Sequence, residues 1–319
     1  MRFLSTVGNL AKLAVFVLVL SLAGFAQVTL RNALDADGDN KADFYLFRPA
    51  NSTWYIADNN GGSTSQALGA ANTDHMVPGD YDGDGRGDVA VWRSTTGTWI
   101  RILSSTNTIV STVWGKKGDE PVARDYDGDG KTDLAFVRRA NGKMRWYIIY
   151  SSTGVSASKE YGLATDYAIP GDYNGDGKFD FAVHRPGATA TSPGTFLILA
   201  GRQKISLAFG QSNDIVVPGD YDGDGKTDIA VVREGAKAEA TLQWIIRRSS
   251  DEAIETRFWG STGTDITAQN DYDGDGRTEL VVWRNSTGRF YIYNLADNSM
   301  SQVVWGQPSD IPVATYDSH

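Results

Sequence analysis

Six copies of one nine-residue loop recur along the chain, their first residues 45, 45, 47, 48 and 51 apart. A period of that size holds four short strands, and units this small bury their apolar faces only against one another. The fifth copy is the most regular: Asp220-Tyr221-Asp222-Gly223-Asp224-Gly225-Lys226-Thr227-Asp228. Its carboxylates stand at positions 1, 3, 5 and 9, and its glycines at 4 and 6. Glycine permits positive φ, so the chain can bend tightly enough to collect four carboxylates and the carbonyl of position 7 around one point. Acids so gathered repel unless a hard cation lies among them. Calcium suits such a shell, taking about six to eight oxygens in loose geometry, whereas magnesium requires a tight octahedron and keeps its waters.

The expected ligands follow loop by loop. The first loop offers Asp35, Asp37, Asp39 and Asp43, with the carbonyl of Lys41. The second offers Asp80, Asp82, Asp84 and Asp88 with that of Arg86, and the third Asp125, Asp127, Asp129 and Asp133 with that of Lys131. The fourth offers Asp172, Asn174, Asp176 and Asp180 with the carbonyl of Lys178; asparagine keeps the oxygen and loses the charge. The fifth adds Asp220, Asp222, Asp224 and Asp228 with Lys226, and the sixth Asp271, Asp273, Asp275 and Glu279 with Arg277. The alternative reading is a set of acidic surface turns without metal. An EF-hand is excluded, because its position 12 requires a bidentate Glu and here holds Leu46, Val91, Phe136, Val183, Val231 or Val282.

Those last residues lie in short β-branched, apolar runs such as Ile229-Ala230-Val231-Val232, which read as strand. In the third repeat the strands are expected at 121–123, 133–138, 145–150 and 156–161, with Gly97, Gly142, Gly194 and Gly288 marking the turn before the third strand of their repeats. No stretch has the period of an amphipathic helix. The fold class is all-β: a single β-propeller of four-stranded blades, six in number, with seven as the runner-up. An apolar-Gly pair closes each module (Leu68-Gly69, Trp114-Gly115, Tyr161-Gly162, Phe209-Gly210, Trp259-Gly260, Trp305-Gly306), and Asp74, Asp119, Asp166, Asp214, Asp265 or Asp310 follows. An arginine stands thirteen residues after each first loop aspartate: Arg48, Arg93, Arg138, Arg185, Arg233 and Arg284. These arginines form either an anion-binding rim or, the reading preferred here, scaffold contacts in which each pairs with an aspartate or a loop carbonyl of its own or the next blade. The final stretch, residues 310–316, repeats the strand that precedes each loop, with no loop after it. It is expected to complete the first blade and close the ring, which removes the open sheet edges that invite aggregation.

The run Phe209-Gly210, Pro218-Gly219-Asp220-Tyr221-Asp222-Gly223-Asp224-Gly225 and Asp228-Ile229-Ala230-Val231-Val232 resembles the FG-GAP/VCBS repeats of integrin α-subunit propellers and secreted bacterial proteins. The likeness extends from about Asp35 to Tyr316, and Val-Trp-Arg or Val-His-Arg-Pro in place of Gly-Ala-Pro places it on the bacterial side. The resemblance implies calcium at positions 1, 3, 5, 7 and 9 of each loop, about six ions in all, and a ligand of glycan or protein character at a propeller face.

Residues 1–26 read as a secretory leader: Arg2 and Lys12 supply positive charge, residues 13–25 are an uncharged apolar core, and Gly24-Phe25-Ala26 offers small residues before Gln27. The propeller is therefore expected over 27–319, outside the cell, at its surface or in the periplasm. An uncleaved anchor is the alternative, and no later segment is long and apolar enough to span a membrane. The chain has no cysteine, so bound ions rather than disulfides are expected to staple it. Without the leader, 28 basic residues face 39 acidic ones, a net of −11, and 23 of those acids lie in the six loops. Six divalent ions would bring the balance to about +1, so the acidity is explained without a basic partner. No basic patch suggests nucleic acid, and the protein is expected to be a monomer.

Catalytic signatures are sparse. His75, His184 and His319 are the only histidines; His184 is expected at the surface or rim, and none lies in a recognisable acid–base or zinc pattern. A non-catalytic binding or adhesion module is the leading expectation. A polysaccharide lyase or hydrolase and a structural spacer are the alternatives. Tyr81, Tyr126, Tyr173, Tyr221 and Tyr272 at loop position 2, and Trp54, Trp99, Trp146 and Trp244 in the third strands, recur in step and are expected to pack between blades. Trp92 and Trp283 do not recur, since Phe47, Val137, His184 and Val232 hold the same place. They, or the blade-connecting loops, are the expected contacts for a sugar face or a partner.

Overall fold

The computed structural model describes residues 33–313. The leader expected at 1–26, residues 27–32 and residues 314–319 lie outside the described residues. The chain enters at loop 1 and continues as β1 (Phe44–Arg48), β2 (Thr53–Ala57) and β3 (Ser63–Ala67) of blade 1. Blade 2 holds β4 (Asp74–Met76), β5 (Val89–Arg93), β6 (Thr98–Leu103) and β7 (Thr108–Val113). Blade 3 is β8 (Glu120–Pro121), β9 (Leu134–Ala140), β10 (Lys143–Ile149) and β11 (Ser156–Leu163). Blade 4 is β12 (Tyr167–Ala168), β13 (Phe181–Arg185), β14 (Pro193–Ala200) and β15 (Gln203–Gln211). Blade 5 is β16 (Ile215–Val216), β17 (Ile229–Arg233), β18 (Thr241–Arg247) and β19 (Ile254–Ser261). Blade 6 is β20 (Asp265–Thr267), β21 (Leu280–Arg284), β22 (Arg289–Tyr293) and β23 (Met300–Val304). The last strand, β24 (Ile311–Pro312), returns to blade 1, where Leu46 faces Pro312 and Phe47 faces Ile311. The sheets are therefore six, each of four antiparallel strands, and the C-terminal strand closes the ring as expected.

Composition follows position in the blade. Second strands such as β5 and β17 are buried on both faces between neighbouring sheets, so they are apolar almost throughout. Third strands alternate, as β10 does with Met144, Trp146 and Ile148 pointing in. Fourth strands are largely exposed. The hydrophobic clusters span adjacent blades, one joining Val137, Trp146 and Ile148 to Phe179 and Val183.

The indole N–H groups of Trp54, Trp99, Trp146 and Trp244 donate to the carbonyls of Leu68, Trp114, Tyr161 and Trp259, at 2.8–3.0 Å. Each buried tryptophan thus fastens its strand to the apolar-Gly pair that ends its module, and its one polar atom is satisfied. Beside one such pair Gly97 has φ +66°, and a Cβ there would lie 2.3 Å from the Gly115 carbonyl. Trp114, Trp259 and Trp305 sit in the pairs themselves, and the last two donate onward to Tyr291 and to Tyr55 of the next blade.

Two aromatic expectations are overturned. Trp92 and Trp283 are 0 % exposed, and their indole N–H groups donate to Trp114 and Trp305 carbonyls. They fill space between blades and are not available to a ligand. Replacing either by alanine is expected to cost about 3–5 kcal/mol, measured by denaturant unfolding.

His184 occupies the same place in blade 4 and is likewise buried, at 1 % exposure, not at the rim. It packs on Phe196 with centroids 5.0 Å apart, and neither ring nitrogen has a partner. Gly194 makes room for it: a Cβ there would stand 2.1 Å from Nε2. Burial holds the imidazole below its ordinary value of 6.5, against the pull of Asp214 and Asp166. The unfolded chain therefore binds this proton better than the folded one. Stability is expected to be level in this respect above pH 6.5 and to fall as pH drops below it. His184→Val, the residue found in blades 3 and 5, should remove that part of the slope in unfolding measured from pH 7.5 to 5.

The six arginines are scaffold. Each makes two parallel bonds to the aspartate at the start of its inner strand: Arg93 to Asp74, Arg138 to Asp119, Arg185 to Asp166, Arg233 to Asp214 and Arg284 to Asp265. The sixth, Arg48 to Asp310, joins residues 262 apart and locks the seam. The aspartate side chains are 0–1 % exposed. Because inner and second strands run antiparallel, these clips lie on the face of the ring opposite the loops.

Candidate metal centres

The six loops touch one another. The backbone N–H at position 8 of each donates to the position-1 carbonyl of the loop before it: Gly87 to Asp35, Thr132 to Asp80, Phe179 to Asp125, Thr227 to Asp172, Thr278 to Asp220, and Ala42 to Asp271. These bonds, at 2.6–2.8 Å, form a closed circuit on one face. Side chains adapt to the join. Before loops 2, 4 and 5 stand Gly79, Gly171 and Gly219, where a Cβ would strike Thr132, Thr227 and Thr278. Blade 3 has Arg124 there, lying over Phe179. At Gly87 a Cβ would be 2.6 Å from the Ala33 carbonyl, and the remaining join pairs Asn270 with Ala42. Each position-7 base also lies over the position-4 glycine of the preceding loop, as Lys131 does over Gly83 and Lys178 over Gly128.

Inside a loop the backbone orders the acids. Both oxygens of the position-1 aspartate accept N–H bonds from positions 4 and 6, as Asp80 does from Gly83 at 2.6 Å and Gly85 at 2.9 Å. One oxygen of the position-9 carboxylate accepts from position 2, at 2.6–3.1 Å in all six. The tyrosine at position 2 is buried, and its hydroxyl donates to the carbonyl four residues earlier in blades 2 to 6.

Five loops bring at least three acids within reach of one point, their oxygens within 4.8 Å of one another. Loop 6 gathers all four: Asp271, Asp273, Asp275 and Glu279. Loop 1 gathers Asp35, Asp37 and Asp39. Loops 2, 3 and 5 gather positions 1, 3 and 9: Asp80, Asp82, Asp88; Asp125, Asp127, Asp133; and Asp220, Asp222, Asp228. Asp43 is left out of the first group, and Asp84, Asp129 and Asp224 out of the other three. Loop 4, with Asn174, gathers no such trio; Asn174 Nδ2 donates to Asp176 instead.

Sequence reasoning missed the groups that hold position 5 aside. The hairpins between third and fourth strands carry Ser104-Ser105, Ser151-Ser152 and Ser249-Ser250. The first serine of each donates its N–H to the position-9 carboxylate and its hydroxyl to position 5; the second donates to position 3. In blade 1 Asn59 donates to Asp43 and Asn60 to both Asp37 and Asp39, and there it is position 9 rather than position 5 that stays outside the group. A doubled small polar residue 24 to 29 positions after the first loop aspartate was the signal available.

Burial makes these acids hard to ionise alone. Desolvation, the largest influence, pushes Asp88 up to about 6, Asp43, Asp133, Asp180 and Asp228 to about 7, and Glu279 to about 9. At position 1 it raises Asp125 and Asp220 to about 6, and Asp35, Asp80 and Asp172 as well. The backbone N–H bonds pull the other way and do not offset it. A divalent cation among the oxygens would. Glu279 shows the need most plainly: it is 1 % exposed, one oxygen accepts from Tyr272, and Oε1 has no partner. Several of these Asp-rich groups could hold a metal ion.

A closed ring of six antiparallel four-stranded blades with an acidic loop in each is a β-propeller. Residues 35–91 and 125–183 match the FG-GAP-like repeat family. Among solved structures it is similar to TolB from Acinetobacter baumannii at 17% identity and TM-score 0.55, covering 84% of this chain and 65% of that one. It thus spans just under two thirds of that relative. It is also similar to AofleA from Arthrobotrys oligospora at 9% identity and TM-score 0.52, covering 86% and 88% of the two chains. At these identities the likeness concerns the fold. No curated protein sequence matches the chain.

Proposed function

We propose that this is an exported, calcium-stabilised propeller that serves as a non-catalytic binding module for a glycan or protein. The observation that carries the metal reading is the set of buried loop carboxylates, ordered by backbone N–H groups, of which Glu279 Oε1 is left without a donor. Positions 1, 3, 5 and 9 with the position-7 carbonyl would hold each ion, and an all-oxygen, partly acidic set suits calcium over softer metals. Loop 4, one charge short, is expected to bind most weakly. The leader expected at 1–26 supports export, and a mature N-terminus at Gln27, read by mass spectrometry of the secreted protein, tests it.

The binding reading rests on the scaffold. The recurring arginines and tryptophans are consumed by packing, which leaves the loop face and blade seams as the places where the repeats differ. Screening the calcium-loaded protein on a glycan array tests this, with saturable binding expected. Turnover of pectate or alginate by the same preparation would replace it with the enzymatic alternative.

A further inference from the structure

Beside loop 6 lies a cavity of about 240 Å³ at the seam between blades 6 and 1. One wall is apolar: Phe44 and Tyr272, stacked with centroids 4.9 Å apart, together with Ile292 and Val303. The rest of the lining is polar and includes Asp273 and Glu279, both members of the loop 6 acid group, with Asn294, Ser299 and Ser301.

Loop 6 differs from its counterparts at this wall. In blades 2, 3 and 5 the second oxygen of the position-9 carboxylate accepts a backbone N–H from the outer hairpin, at 2.6–2.7 Å. In blade 6 the hairpin residue is Asn294, which donates to Asp273 instead. Glu279 Oε1 is thereby left bare beside the cavity, in a residue 99 % buried by its 1 % exposure. In loops 2, 3 and 5 a serine pair covers the position-9 carboxylate as well as position 3; in loop 6 Asn294 reaches only Asp273.

We propose that the seam cavity is a monosaccharide site in which loop 6 presents its cation to two adjacent sugar hydroxyls. This rests on the reading of loop 6 as a metal centre. Neutral hydroxyl oxygens are ordinary members of a calcium shell, and Ile292 and Val303, which line the cavity beside the buried Phe44 and Tyr272, give it an apolar side for the C–H groups of a pyranose. Asn294, Ser299 and Ser301 stand where further hydroxyls need donors and acceptors. The volume admits one sugar ring and excludes a folded partner.

Isothermal titration of residues 27–319 with methyl α-mannopyranoside and methyl β-galactopyranoside, in calcium and in EGTA, tests the site, with bound metal counted in parallel. Saturable binding of at least one sugar in calcium is expected, with a loss of at least tenfold in EGTA. Ser301→Trp, on the exposed outer strand, and Val303→Trp should each weaken it at least tenfold with metal stoichiometry and melting temperature unchanged for the former. Full metal loading with no sugar binding, or with binding indifferent to both substitutions, overturns the cavity assignment alone. Absence of bound metal overturns both readings.

Discussion

Removing calcium with EGTA is expected to lower the melting temperature of residues 27–319 by more than about 20 °C. One ion held at about 100 times its dissociation constant contributes about 2.7 kcal/mol. Six would contribute about 16 kcal/mol, as much as the whole stability of an ordinary domain, about 5–15 kcal/mol. The loops also hold one another through the circuit from position 8 to position 1, so losing one such ion would loosen its neighbours. Magnesium should recover only a small part of the loss, because it gives up its water reluctantly. Differential scanning calorimetry in calcium, magnesium and chelator decides the matter. Coincident melting curves in all three would mean that the acids hold no metal.

The second large effect is expected at the seam. Deleting residues 310–319 takes away β24 and the Asp310 clip together, leaving β1 as an open edge and Arg48 without its carboxylate. A loss of about 5 kcal/mol or more is expected, with association through the freed edge. Arg48→Ala should cost about 3 kcal/mol, because Asp310 is 1 % exposed and would be left alone; the partial exposure of Arg48, 21 %, keeps the figure below that of a fully buried pair. Arg145→Ala is the control, since its bridge to Glu160 is exposed on both sides and should be worth little. Urea unfolding with size-exclusion chromatography measures both stability and association. Closure by the last strand is unnecessary to the fold if the truncated chain stays monomeric and equally stable.

Much of this was legible in the chain because the repeat writes each constraint six times. The loops, the strand after each, the blade count and the returning last strand all follow from spacing. The arginines were foreseen as scaffold, paired with an aspartate or a loop carbonyl, but choosing the aspartate nineteen residues earlier needs the antiparallel register. What failed were places where the repeats disagree. Trp92, Trp283 and His184 share one site between blades with Phe47, Val137 and Val232, and the change of residue looked like freedom from the scaffold. It is compensation, as His184 with Gly194 shows: each blade fills the same gap with what its own neighbours leave open. The serine pairs over the loops went unread because two serines in a hairpin look like any polar turn until the carboxylates beneath them are placed.

The joins between loops have a bearing on how such a ring could be enlarged. A blade fits beside another only if the residue before its loop suits position 8 of its follower. Only blade 5 carries the common form on both sides, Thr227 toward blade 4 and Gly219 toward blade 6. A tandem copy of blade 5 would meet itself without collision. Copies of blade 1, with Leu34 and Ala42, or of blade 3, with Arg124 and Thr132, would each bring a mismatched neighbour. The repeats look like interchangeable parts, yet blades 1 and 3 are keyed to their own neighbours, whereas blade 5 carries the common form on both sides.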